Sequence, residues 1–329
     1  MAAIALGLAF GLAAPAALAE PLNIASASLD RFALLSSATS FGSFTWRGGL
    51  ELSSANAKFG GLSGLIMSDS CGSLLAVSDA GRWVKADVNY SDGRISSLSA
   101  ASIAPILDAK GKPPVSKFMG DAEALGAGPG GTVVVGFESQ ARIGSYDVSR
   151  KGLKAPFSGL NPPKEIAKGP DNGELESVGY FSSGPLKGNY IAIAESNFDA
   201  QGFTKAWIWN GQRSIAFSVR QLENYKITDL AIMPDGDVMI LQRSFSTTSL
   251  PGSAISRFPA SAIASTKLVE PETLFEGKVP FYAIDNMEGL AVCERDGETR
   301  ITLVSDNNFN TEIQRTLLLQ FAYKPQQKP

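Results

Sequence analysis

One hairpin recurs five times along the chain. Its last copy, Asp285 to Phe309, has an apolar strand at Gly289–Cys293, a polar turn at Asp296-Gly297 and a second strand at Thr299–Val304. Alternating apolar residues around an Asp-Gly turn mark antiparallel pairing. Acids stand at both ends: Asp285 and Glu288 before the first strand, Asp306 after the second. Antiparallel pairing makes those ends neighbours, so the carboxylates share one mouth.

The earlier copies begin at Gly60-Gly61-Leu62-Ser63, Gly120-Asp121-Ala122-Glu123, Gly173-Glu174-Leu175-Glu176 and Ile227-Thr228-Asp229. Ser63, Glu123, Glu176, Asp229 and Glu288 read as equivalent anchors, 60, 53, 53 and 59 residues apart. That interval fits a four-stranded propeller blade with its loops. A Gly-rich sandwich could show such spacings by chance, but it would not repeat strand, turn and acid positions together. The fold class expected is therefore all-β, a β-propeller of four-stranded blades. The fifth copy is followed by one strand, Thr316–Tyr323, and a strand around Phe44–Leu52 would complete its sheet and close the ring. Five blades are thus accounted for; a sixth is allowed if residues 20–58 and the C-terminus build one.

The 329 residues carry a net charge of −3 and a pI near 5.3, which excludes a nucleic-acid partner by phosphate attraction. The chain has no histidine, which removes Ser-His-Asp and Cys-His triads, histidine phosphatase chemistry and His-ligated zinc. Residues 1–19, ending Ala17-Leu18-Ala19, read as a secretory signal peptide, with residues 20–329 as one domain. The expectation is a periplasmic or secreted protein, with no membrane span in the mature chain and a monomeric state.

If the loops before each first strand and after each second strand share a face, acids converge there. Near those positions lie 12 of the 32 acids, Asp79, Asp121, Asp171 and Glu174 among them. The metal-ligand candidates are Glu123, Glu138, Glu176, Glu195, Asp285, Glu288 and Asp306, with Glu123 or Glu288 as general base. Oxygen donors without histidine favour Ca²⁺. Arg82, Arg142, Arg243 and Arg315 follow the second strands and are candidates for binding an anionic ester or phosphoester. The same arginines could instead neutralise the acids in a structural salt-bridge ring, and both readings stay open. Cys71 and Cys293, the only cysteines, fall at one end of the first and fifth copies, so a bridge across the ring closure is expected, with two buried thiols as the alternative.

The motifs GGLSGL (60–65), AVSDAGRW (76–83), DAEALG (121–126), ELESVG (174–179), NMEGLAV (286–292) and LVSDNNFN with RTLLLQF together resemble the phytase-like family, described by "esterase-like activity of phytase". The resemblance spans about residues 28–322. It implies an exported β-propeller, distantly related in form to calcium-dependent propeller phytases, and a metal-dependent ester or phosphoester hydrolase. A non-catalytic propeller binding a ligand or protein across the same face is the alternative. Ser63 at the first anchor and Gln242 at the fourth return position depart from a continuous acidic ring.

Overall fold

A computed structural model describes residues 19–139, 141–166, 175–246 and 249–325. The signal-peptide reading, Asp171 and Glu174 lie outside the described residues.

Five antiparallel sheets form a five-bladed propeller. The innermost strands, in ring order, are Leu62–Met67, Ala122–Ala127, Ser177–Tyr180, Lys226–Ile232 and Met287–Arg295. Each is apolar because it is covered on both faces by neighbouring blades, and each pairs outward with a second strand: Ser73–Ser78, Val133–Phe137, Tyr190–Phe198, Val238–Ser246 and Glu298–Ser305. The core lies between blade faces: Ile191, Ile193 and Phe217 of blade 3 pack on Leu230 and Ile240 of blade 4, and Met239 and Leu241 on Leu290 and Leu303 of blade 5.

A five-bladed ring is narrow at its axis. Gly64 of blade 1 faces the Leu125 backbone of blade 2, where a Cβ would come within 2.8 Å of the Leu125 nitrogen. Gly126 likewise faces the Val178 carbonyl, at 2.3 Å from a Cβ. Side chains are missing where adjacent inner strands almost touch.

The seam between blades 5 and 1 is held three ways. Strand Phe44–Ser53 pairs antiparallel with Thr316–Tyr323 as the fourth strand of blade 5, so the N-terminus supplies the missing strand and no sixth blade forms among the described residues. Ala25–Leu29 covers that strand's outer edge, while Glu20–Pro21 pairs with the outermost strand of blade 1, so one segment binds both blades. On the face away from the mouth, a disulfide joins Cys71, in the turn between the first two strands of blade 1, to Cys293 on the inner strand of blade 5.

The bridge closes a chain segment of 222 residues, which restricts the unfolded ensemble. Cys293→Ser paired with Cys71→Ser is expected to lower unfolding stability by about 2–5 kcal/mol, with an unchanged fold. Denaturant midpoints against the oxidised wild type, with far-ultraviolet circular dichroism as the control, measure this.

Candidate functional site

The acids reach the channel through a repeated backbone device. In blade 1 the ladder slips between Leu62 and Gly64, leaving Ser63 as the extra residue; in blade 2 it slips around Glu123, and in blade 5 around Glu288. A bulge twists a strand and re-aims the bulged side chain. In blade 4 the slip lies between Ile227 and Asp229, so the residue equivalent to Glu123 and Glu288 is Thr228. This corrects the anchor assignment by one position. Thr228 Oγ1 donates to the Met287 carbonyl at 3.1 Å. Asp229 is fully buried between inner strands, where it accepts hydrogen bonds from the Leu290 amide at 2.6 Å and the Leu230 amide at 2.8 Å. Burial nevertheless holds its carboxyl well above the usual range. It ties blade 4 to blade 5 and takes no place at the mouth.

The same slip moves the return position. The amides of Asp79, Glu138 and Asp306 donate to the carbonyls of Gly61, Asp121 and Asn286, just beyond the last paired residues of blades 1, 2 and 5. In blade 4 Gln242 pairs with Ile227 and Arg243 with Lys226, so Arg243 occupies the position that Asp79, Glu138 and Asp306 hold elsewhere. Gln242 is internal, donating to Ser256 Oγ at 2.9 Å and accepting from the Leu222 amide at 2.9 Å.

Arg243 is the hub of the mouth. Its Nη2 lies 3.0 Å from Glu195 Oε1 and its Nη1 3.1 Å from Glu288 Oε1, and it also donates to Asn286 Oδ1. Two lysines complete the pairing, and neither stood out in the sequence. Lys226 Nζ lies 2.8 Å from Glu195 Oε2. Lys117, on the connection from blade 1 to blade 2, lies 2.5 Å from Asp79 Oδ2 and 3.6 Å from Asp121 Oδ1.

The other candidate arginines are placed differently. Arg82 begins the third strand of blade 1 and acts weakly on Glu20 at the outer edge of that blade, and no ion pair joins it to the acids among the described residues. Arg142 stacks 3.9 Å over the Phe137 ring and donates to the Met119 carbonyl. Arg315 lies 3.6 Å from Asp285 and 3.7 Å from Glu51, and Asp285 thereby belongs to this outer pair and stands apart from the ring.

Among the described residues, eight carboxylates crowd the mouth: Asp79, Asp121, Glu123, Glu138, Glu176, Glu195, Glu288 and Asp306. Even with Arg142 counted beside Lys117, Lys226 and Arg243, four basic groups face them. Burial, then repulsion from Asp121 and Asp79, drives Glu123 well above the carboxylate range. Burial and Glu195 do the same to Glu176. Glu288 is pushed up to about 8 by burial, against the pull of Arg243, and Asp306 to about 7 by burial, against a hydrogen bond from the Asn308 amide.

Two oxygens are left over. Asp121 Oδ1 and Glu288 Oε2 are buried without a hydrogen-bond partner. Asp121, Glu123 and Glu138 each offer an oxygen within 4.8 Å of the others. An all-oxygen, anionic donor set of this kind suits a hard divalent cation. Beside the ring, between blades 4 and 5, opens a cavity of about 480 Å³ lined by Arg243, Asp285, Asn286 and Arg315 together with Ile284 and Ile313.

The raised groups set the sign of the pH dependence. Above the ordinary value of 4.5 the unfolded chain releases protons that folded Glu288 keeps until about pH 8, so these groups remove stability as pH rises between those limits. In chelator, the melting temperature is expected to fall between pH 5 and pH 8, and Glu288→Gln to flatten that fall. Thermal scans of both proteins across the window measure it; an unchanged slope in the variant would contradict the assignment.

The family model described as "Esterase-like activity of phytase" matches residues 57–309, through all five inner strands. No curated protein matches the chain. Among solved structures, the N-terminal domain of Nup159 is 12% identical, with 90% of this chain and 100% of that one covered at a TM-score of 0.38. U3-55K is 9% identical, with 81% and 96% covered at 0.37. A protein of unknown function from Dyadobacter fermentans is 9% identical, with 79% and 75% covered at 0.40. The family is shown by the match along the chain itself: this protein is a member of the phytase-like family.

Proposed function

We propose that the protein is an exported, divalent-cation-dependent hydrolase of esters or phosphoesters, working at the acidic mouth. The observation that carries this reading is that two buried oxygens of the mouth, Asp121 Oδ1 and Glu288 Oε2, accept no hydrogen bond, Lys117 reaching the first only as an ion pair at 3.6 Å, in a ring where eight carboxylates face four basic groups among the described residues. A purely structural ring would satisfy those atoms. The family match supports a hydrolase-like scaffold. Export is supported by the disulfide, which persists in oxidising compartments, and among the described residues no helix is long and apolar enough to cross a membrane.

Asp121, Glu123 and Glu138 would hold the cation, and Ca²⁺ is the ion their oxygen donors favour. When bound, such an ion offsets the charge of the acids and polarises a substrate oxygen. Glu123 is then engaged as a ligand, which leaves Glu288 as the acid–base group. Its pKa of about 8 suits proton exchange near neutrality, with Oε2 free to receive or give the proton. Arg243 holds Oε1, which leaves Oε2 as the oxygen without a hydrogen bond. Asn286 and Arg315 stand beside it to orient an anionic group.

The test is turnover of p-nitrophenyl acetate, p-nitrophenyl phosphate and phytate by the purified protein, with Ca²⁺ and with chelator. Chelator-sensitive turnover is expected on at least one substrate, falling about 10²–10⁴-fold in Glu288→Gln and little changed in Arg82→Ala. Ca²⁺ at a hundredfold excess over its Kd should also stabilise the fold by about 2.7 kcal/mol. Absence of turnover together with a Ca²⁺-insensitive melting temperature would assign the mouth to non-catalytic binding.

A further inference from the structure

The cavity between blades 4 and 5 has a chemistry that the carboxylate ring does not explain. Its polar lining carries two guanidinium groups, the more buried Arg243 and the more exposed Arg315, with the Asp285 carboxylate beside Arg315 and the amides of Asn286, Asn308 and Gln314. Its apolar lining comes from Pro251, Val279, Ile284 and Ile313. Ile284 is buried and closes the wall, whereas Ile313, on the turn after the second strand of blade 5, is 76% exposed. A single exposed isoleucine is ordinary. Here it joins three other apolar residues in one cavity with two guanidinium groups, a space of about 480 Å³, the size of small-molecule sites.

The two arginines differ in how tightly they are held. Arg243 is locked between Glu195, Glu288 and Asn286. Arg315 reaches its acids at 3.6 and 3.7 Å from a side chain 41% exposed, and pairs that long and wet contribute little. An incoming anion can take Arg315 without breaking a buried pair. A group held there and stacked on Ile313 would have its far end beside Arg243, next to Glu288.

We infer that this cavity is the substrate-recognition pocket, selective for a small soluble amphipathic anion: one carboxylate or phosphate-type head at Arg315, one alkyl or aryl arm along Val279, Ile284 and Ile313. The inference rests on the site proposed above and names its substrate class. It disfavours a multiply phosphorylated polyol, which has no apolar arm and would bring many negative charges to a mouth already holding eight carboxylates.

Calorimetric titration of the purified protein in chelator with methyl-, butyl- and octylphosphonate tests the pocket without requiring metal or turnover. Affinity is expected to rise about two- to fourfold per methylene from methyl to butyl. Ile313→Asn should flatten that gradient and Ile313→Leu restore it, while Arg315→Gln weakens all three ligands by a similar factor. Equal affinity for the three phosphonates, an intact gradient in Ile313→Asn, or tighter binding of phytate than of butylphosphonate would overturn the inference. Binding to phosphatidic acid vesicles without binding of butylphosphonate would also overturn it, assigning the surface to lipid. A gradient in binding alongside absent turnover would leave the pocket standing and count against the hydrolase reading alone.

Discussion

Everything at the mouth follows from the narrowness of a five-bladed axis. Inner strands that pass close enough to exclude a Cβ at Gly64 and Gly126 leave little water between them, so each side chain that a bulge turns inward enters a poorly solvated space shared with the others. Glu123, Glu176 and Glu288, contributed by three different blades, therefore act on one another's charge, and burial comes first among the causes that raise each of them. The same carboxylates spread over an open surface would be screened within about 8 Å at physiological salt. Here the ring geometry couples them.

Much of this was legible from the chain because blade periodicity depends on patterns that survive in a single sequence: apolar inner strands, Gly-containing turns, acids at fixed offsets. The closing role of Phe44–Ser53 was legible too, because one unpaired strand at the end of the chain demands a partner. What misled was alignment by charge. Asp229 looks like an anchor, but the bulge makes Thr228 the anchor and sends the Asp229 carboxylate to the amides of blades 4 and 5. A bulge is a backbone event with no residue signature of its own, and its one-residue slip also hid that Arg243, one residue past Gln242, takes the return position that Asp79, Glu138 and Asp306 hold in other blades. Lys117 was invisible for a different reason. It lies on a connection outside the repeat, and only the path of that loop brings it to Asp79.

Three devices at the seam serve the site as much as the fold. On the mouth side, Asn307 Oδ1 accepts from the amides of Gly61 and Phe309, fastening the blade 5 turn to the entrance of blade 1. Gly61 has φ +63°, and a Cβ there would meet Asp79 Oδ1 at 2.1 Å and the Phe309 ring at 2.5 Å. A larger residue would displace Asp79 from Lys117 and loosen the loop that carries Asp306. The disulfide at the other end of the same two blades keeps this interface from opening, so the carboxylates of blades 5 and 1 are held at a separation that their mutual repulsion would otherwise increase.

Replacing one acid of the ring by Arg243 gives the mouth two unlike halves. On the side of blades 3 to 5, Arg243 and Lys226 share Glu195 between them, and Arg243 takes one oxygen of Glu288. On the side of blades 1 and 2, Lys117 divides one ammonium between Asp79 and Asp121, leaving Glu123 and Glu138 packed against Asp121. The fixed cations are thus distributed unevenly: Arg243 and Lys226 stand on the side of the blade 4–5 cavity, Lys117 and Arg142 on the side of the blade 2 cluster. A fully symmetric ring of five acids would draw cations everywhere and repel any anion. With the arginine in place, the blade 2 cluster keeps an all-oxygen donor set of the kind that suits a divalent cation, while Arg243 and Arg315 line the cavity between blades 4 and 5. A charge-changing substitution at position 243 would then do more than weaken one ion pair: it would restore the repulsive symmetry that Arg243 breaks.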